Sequence, residues 1–197
     1  MKRPAARAID FDQPSDLVAR ALIGATLQVD GVGGVIVETE AYDQVDPASH
    51  TFMGPTARNA AMFGPSGHAY VYRSYGLHWC LNFTCRPAGH GAGVLIRALE
   101  PRTGLETMRQ RRGLADARLL CAGPGRLGQA LGITLAQYGL PLDRPPFFVA
   151  APDEPVQVVV GSRIGLSKAI DAPWRFGLAG SRYLSRPFPK APKDSAD

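Results

Sequence analysis

The chain has 197 residues, 45% of them apolar, which is enough for one sizeable core and short for two ordinary domains. Charged residues make up 20%, and a net charge of +5 with a pI of about 9.4 leans toward an anionic partner without identifying it. Cys80, Cys85 and Cys121 lack C-x-x-C spacing, which argues against a disulfide framework or a zinc site and for buried, reduced thiols. No stretch approaches the ~20 apolar residues of a membrane span and Met1–Asp16 has no apolar signal core, so a soluble cytoplasmic protein is expected.

In chain order, residues 14–23 read as a short helix opened by Pro14, with Leu17, Ala21 and Leu22 as its apolar face and Gly24 as its stop. Thr26–Val29 and Gly34–Tyr42 read as strands around a glycine-rich turn at Gly31–Gly34. Residues 43–68 form an ordered loop with a helical turn at Asn59–Phe63. Ala69–Arg73 and Leu77–Thr84 are strands joined by a tight turn at Ser74–Gly76, and Val94–Leu99 is another strand. Helices are expected at Pro101–Arg112 and Gly125–Leu131. A β-branched run follows at Val156–Val160, then Arg163–Leu166 and a last strand near Ser181–Leu184. The Pro- and charge-rich residues 187–197 read as a flexible tail after a single domain spanning 1–186. With no internal repeat and no linker, the fold class is α/β in the α+β sense: one domain with a curved, largely antiparallel sheet, short flanking helices and a protruding hairpin.

Strict alternation sends Ile36, Glu38, Glu40 and Tyr42 to one face of their strand. Two glutamates there either surface into solvent or edge a cleft, because carboxylates are seldom buried without a partner. At a cleft edge, a glutamate can deprotonate water and stabilise positive charge developing on a sugar. Tyr42, His50, Tyr72 and Asn82 are each ordinary alone, but together they supply aromatic faces and polar groups for a flat ring. Arg97 interrupts the apolar run GVLIRALEP and needs a carboxylate partner such as Glu40 or Glu100. Tyr75 sits at the tip of a hairpin, where an exposed aromatic wastes apolar surface unless it meets a partner.

The ordered motifs E-T-E-A-Y, R-N-x-x-M-F, Y-V-Y-x-x-Y-G, C-x-N and R-A-L-E-P, from about Asp12 to Leu184, resemble the alkyladenine (3-methyladenine) DNA glycosylase family. The resemblance implies that Glu40 activates the attacking water, that Arg97 orients Glu40 and the water, and that the Ile164 backbone carbonyl also holds it. Glu38 then becomes a structural partner. It implies that Tyr42 and Tyr72 stack on an extruded purine, His50 bonds its edge and Asn82 gates against normal guanine. Tyr75 becomes a wedge into the duplex, flanked by Leu77 and His78. Gly123, Gly125 and Arg126, in LCAGPGRLGQALGI, are expected on the DNA backbone, with Arg58, Arg73, Arg109, Arg111 and Arg112 as further candidates. The segment after Arg112 is shorter than the family's pattern.

The implied protein is a monofunctional glycosylase that needs no metal or other cofactor. It works as a monomer on double-stranded DNA containing damaged purines, cytoplasmic and nucleoid-associated, without membrane contact. Two other classes compete. A metal-dependent hydrolase would use Glu38, Glu40 and His50 as ligands. A non-catalytic nucleic-acid-binding module would use the tyrosines and arginines alone.

Overall fold

Glycines and prolines set most element boundaries in the computed structural model, which describes residues 8–189. Helix α1 (Ser15–Ala21) starts after Pro14 and ends before Gly24, whose φ is 85°. Its buried face is Val18, Ala19 and Leu22, whereas Leu17 is 51% exposed and Ala21 faces solvent. The reason is tertiary: the Thr39 hydroxyl donates to the Ala19 carbonyl (2.9 Å) and turns that side of the helix onto the sheet.

Strands β1 (Thr26–Val29) and β2 (Val32–Asp43) form a hairpin with a two-residue turn, Asp30-Gly31, at φ 49° and 75°. Positive φ at both positions is what a type I′ turn demands. The turn is therefore shorter than Gly31–Gly34, and Gly33 and Gly34 lie inside β2. A Cβ on Gly33 would stand 1.9 Å from the Leu27 carbonyl oxygen, so side-chain space sets that residue.

Residues 44–68 run as a loop with a 3-10 turn at Ala60–Phe63. Asn59 staples it, its amide donating to the carbonyls of His50 (2.8 Å) and Gly54 (3.1 Å). Strands β3 (Ala69–Ser74) and β4 (His78–Thr84) follow as a hairpin. Strand β5 (Ala92–Thr103) continues through Pro101, so helix α2 (Leu105–Arg112) begins only after Gly104 at φ 69° rather than at Pro101.

Next come α3 (Ala117–Leu120), α4 (Pro124–Leu131), β6 (Phe147–Ala150), β7 (Val158–Gly161) and β8 (Arg175–Leu178). Helix α3 and β6 are too short to carry a periodic signal. The last strand is β8, and both Arg163–Leu166 and Ser181–Leu184 are irregular. Strand β8 draws its hydrogen bonds from β2 and β7, distant partners that its own four residues do not advertise.

The sheet is antiparallel in the order β3-β4-β5-β2-β1-β6. The edge of β2 away from β5 is shared, β1 taking its first half and β8 its second, with β7 beyond β8. The result is one α+β domain around a curved half-barrel sheet. Helix α1 covers β2 and β5, and α4 covers β4. Helix α4 comes close because it offers glycine: a Cβ on Gly128 would stand 2.1 Å from the Trp79 carbonyl oxygen. Among the described residues, no helix is long and apolar enough to cross a membrane. Of the expected tail, 190–197 lie outside the described residues.

Candidate active site

Strands β2 and β5 slip register at three places, and the two slips around Glu38 build the site. Ile36 pairs with Leu99 and Glu38 with Ala98, so Val37 is an extra residue on β2. Thr39 then pairs with Ile96, so Arg97 is an extra residue on β5. A bulge changes which face the following side chains occupy. Ile36 and Leu99 accordingly join the hydrophobic core, and Ile36 does not share the glutamate face as strict alternation required. Glu38, Glu40, Tyr42 and Arg97 meet on the other side.

Both glutamates are fully buried, which rules out the solvated alternative. Glu40 accepts the Ile164 backbone N–H on Oε1 (2.7 Å), and on Oε2 the Tyr42 hydroxyl (2.8 Å) and Arg97 Nη1 (3.1 Å). A carboxylate oxygen accepts about two hydrogen bonds, so Oε2 is filled by protein and Oε1 keeps capacity for another donor. Ile164 thus meets Glu40 through its N–H.

Arg97 also donates from Nε to Glu38 Oε1 (3.0 Å), and Arg175 Nε donates to the same oxygen (2.9 Å). Burial by itself lowers the Arg97 pKa, but the charges of Glu40 and Glu38 outweigh it and hold the guanidinium charged. Glu38 is therefore spent on two arginines, and His50 bonds a tyrosine. Among the described residues, no group of three His, Cys, Asp or Glu side chains is placed to hold a metal, so the Glu38/Glu40/His50 triad is not assembled.

Beside the carboxylates lies a cavity of about 100 Å³ walled by Tyr42, His50, Tyr70, Tyr72 and Asn82, with Ala48, Met62 and Leu166 completing it. Drug-sized sites run to about 300 Å³ or more, so this one suits a single flat ring. Tyr70 and Tyr72 are two apart on β3 and share a face, with ring centroids 5.7 Å apart and planes at 25°. The His50 ring meets Tyr72 edge-on at 4.6 Å, and its Nδ1 hydrogen-bonds the Tyr70 hydroxyl (2.9 Å). Burial, helped by the Arg58 charge, lowers the His50 pKa and favours the neutral imidazole. Burial pushes the Tyr70 phenol up to about 12. Burial and the neighbouring Glu40 raise Tyr42 well above the ordinary phenol value, so it stays a donor to Glu40. The Asn82 amide donates to the Tyr70 carbonyl (3.2 Å), which fixes its orientation at the wall.

The hairpin tip carries Tyr75 at 93% exposure, with φ 49° followed by Gly76 at 68°. A bulky residue is disfavoured in that left-handed region, and no packing holds Tyr75 there. Leu77 and His78 are exposed beside it. His78 borders a shallow groove of about 320 Å³ formed with Arg112, Gly123, Gly125 and Arg126 at the start of α4. Arg58 and Arg73 line a wider groove of about 660 Å³ along the hairpin with Trp79 and Tyr138. Arg109 and Arg111 instead donate to the carbonyls of Ala115 (3.2 Å) and Ala130 (3.0 Å) within the fold.

Four important residues escaped the sequence reading. Tyr70 was detectable, since it stands two before Tyr72 on the same strand face. Arg163 donates to Asp46 and to the Ala41 carbonyl (2.9 Å), and its guanidinium lies 4.7 Å from the Tyr42 ring centroid. Arg175 and Ser185 reach Glu38 from more than a hundred residues away and leave no local signal.

Against known proteins, residues 9–182 match the model of the methylpurine-DNA glycosylase family. The chain is 69% identical over 181 residues to a protein of Nitrosospira multiformis, covering 92% of this chain and 94% of the other. It is 57% identical over 188 residues to one of Bradyrhizobium diazoefficiens (95% and 94%) and 60% identical over 181 residues to one of Rhizobium meliloti (91% and 96%). Each of the three is named "Putative 3-methyladenine DNA glycosylase". With a match over almost the whole chain and a buried carboxylate set beside an aromatic ring pocket, the chain belongs to the methylpurine-DNA glycosylase family and is a DNA glycosylase of the 3-methyladenine type, a hydrolase of DNA repair.

Proposed function

We propose that the protein is a monofunctional glycosylase that extrudes a damaged purine from duplex DNA and hydrolyses its N-glycosidic bond with water. The observation that carries this reading is Glu40: a fully buried carboxylate, linked through the Tyr42 hydroxyl to the wall of a ring-sized pocket, with one oxygen able to take a further donor. In the reaction the C1′–N9 bond breaks and its electron pair leaves with the purine, while the water oxygen bonds C1′ and its proton passes to Glu40. Glu40 also stabilises the positive charge that develops on the sugar. Arg97 holds Glu40 in line, and the Ile164 carbonyl is the second acceptor for the water.

The extruded base lies between Tyr42 and Tyr72, with His50 at its edge and Asn82 excluding normal guanine. An alkylated purine is cationic, so each aromatic contact favours it by ~0.5–2 kcal/mol. Alkylated purines are thus the first substrates, and deaminated and etheno purines also fit a neutral, hydrogen-bonding pocket. Tyr75 fills the gap in the duplex, with Leu77 and His78 beside it, and Gly123, Gly125 and Arg126 grip the backbone. The protein acts on this reading as a monomer on the bacterial nucleoid.

The test is release of methylpurines from methylated duplex DNA, and of hypoxanthine from a duplex holding one such base, with EDTA present. Wild type releases base, and Glu40→Gln is slower by ~100-fold or more. Equal release by both proteins removes Glu40 as the base, and tight lesion binding without release by either removes the water-activation scheme.

A further inference from the structure

The segment after the last irregular turn closes onto the catalytic side chains. Ser185 donates its backbone N–H to Glu38 Oε2 and its hydroxyl to Glu38 Oε1 (2.7 Å). Its hydroxyl oxygen also stands 3.4 Å from Arg97 Nη2 as an acceptor. One residue on, the Arg186 carbonyl accepts from Arg175 Nη2, and the Arg175 guanidinium lies 3.9 Å from the Phe188 ring centroid. Phe188 has a seat made by absent side chains. A Cβ on Gly177 of β8 would stand 2.5 Å from its ring, and one on Gly161 of β7 3.0 Å. The segment follows residue 182, where the family match ends.

We propose that Ser185–Phe188 is a strap that completes the active site, with Ser185 as a positioning residue that holds Arg97, and through it Glu40, in the reactive orientation. The inference rests on the water-activation reading of Glu40. Arg97 is anchored by Nε on Glu38 and reaches Glu40 with Nη1; its third nitrogen contact is Ser185. Glu38 in turn is anchored by Arg175 and the Ser185 hydroxyl on Oε1 and by the Ser185 N–H on Oε2. Without the hydroxyl, Glu38 keeps Arg175 and the Ser185 N–H, but the Arg97 fork loses the acceptor at Nη2 and its Nη1 can shift from Glu40. Small displacements at a reacting centre cost large factors in rate while leaving remote binding contacts intact.

Ser185→Ala and Ser185→Thr are compared with wild type and Glu40→Gln in steady-state methylpurine release from methylated duplex DNA, with thermal melting of each protein. Ser185→Ala lowers kcat ~10-fold or more with KM within ~2-fold. Ser185→Thr, which keeps the hydroxyl, recovers most of that loss. A wild-type kcat in Ser185→Ala overturns the strap, as does a loss of rate that Thr does not recover or that comes with a lost melting transition. If Glu40→Gln is as active as wild type, the water-activation reading itself fails and takes the strap with it. An inactive Glu40→Gln beside a fully active Ser185→Ala refutes the strap alone.

Discussion

Tyr75→Asn should make the protein more stable and less active at once. The tyrosine is 93% exposed at φ 49°, so removing its ring forfeits no packing. Left-handed backbone costs an ordinary residue about 1–2 kcal/mol, and asparagine, whose short amide bonds locally, avoids much of this. Asparagine followed by Gly76 is also the preferred pair for the type I′ turn found here. A gain of about 1 kcal/mol raises the melting temperature by ~2–4 °C in a domain of this size. On the activity side, an aromatic wedge offsets part of the few kcal/mol needed to unstack a base pair. Losing ~1.5–3 kcal/mol of that offset slows excision from duplex ~10–100-fold. The same lesion in a single strand, which has no gap to fill, is nearly spared. The assays are calorimetry and single-turnover excision on matched single- and double-stranded substrates. An unchanged or lower melting temperature together with full duplex activity would refute both the strain and the wedge.

The buried Arg163–Asp46 pair gives a stability prediction: Asp46→Asn keeps the cap on the Ala48 N–H but leaves the cation uncompensated. It should cost about 3–5 kcal/mol in urea unfolding, and a loss under ~1 kcal/mol would mean that the cation finds another partner. Gly128→Ala should destabilise by about 1–3 kcal/mol despite alanine's better helix propensity, because the new methyl meets the Trp79 carbonyl. Gly125→Ala, whose Cβ meets only the exposed His78 side chain at 2.8 Å, should be milder; the reverse order in thermal melts would contradict the packing of α4. Burial lowers the His50 pKa, so the unfolded chain takes up its proton first as pH falls below about 6.5. Stability from His50 is complete above that value and is lost toward the lowered folded pKa. His50→Gln should flatten the fall of unfolding free energy between pH 7 and pH 5, and an unchanged slope would place the neutral imidazole in doubt. Burial pushes the Cys85 and Cys121 thiols up to about 12, and native protein should leave both unlabelled by DTNB until urea is added.

Much of this was legible in the chain itself because short-range physics decides it. Turn chemistry marked the hairpins, although the Asp30-Gly31 pair, a stronger signal than the glycine run beside it, set the first turn. The ordered motifs and the resemblance they carry picked out Glu40, Tyr42, His50, Tyr72, Asn82 and Arg97; the fold sets Tyr42, His50, Tyr72 and Asn82 around one pocket and joins Glu40 and Arg97 to it through the Tyr42 hydroxyl. Alternation, however, failed at Ile36, because paired bulges at Val37 and Arg97 depend on how two strands fit and leave no mark on either alone. The same limit hid β8, which is a strand only because β2 and β7 offer it hydrogen bonds. It also hid the partners of Glu38. Local sequence could say that a buried glutamate needs compensation. Only the finished fold, with Arg175 on β8 and Ser185 on the segment after it, each more than a hundred residues away, decided where the compensation comes from. Propensity, turns and alternation act over a few residues, whereas pairing of a buried charge is settled by whatever the finished fold puts within 3 Å.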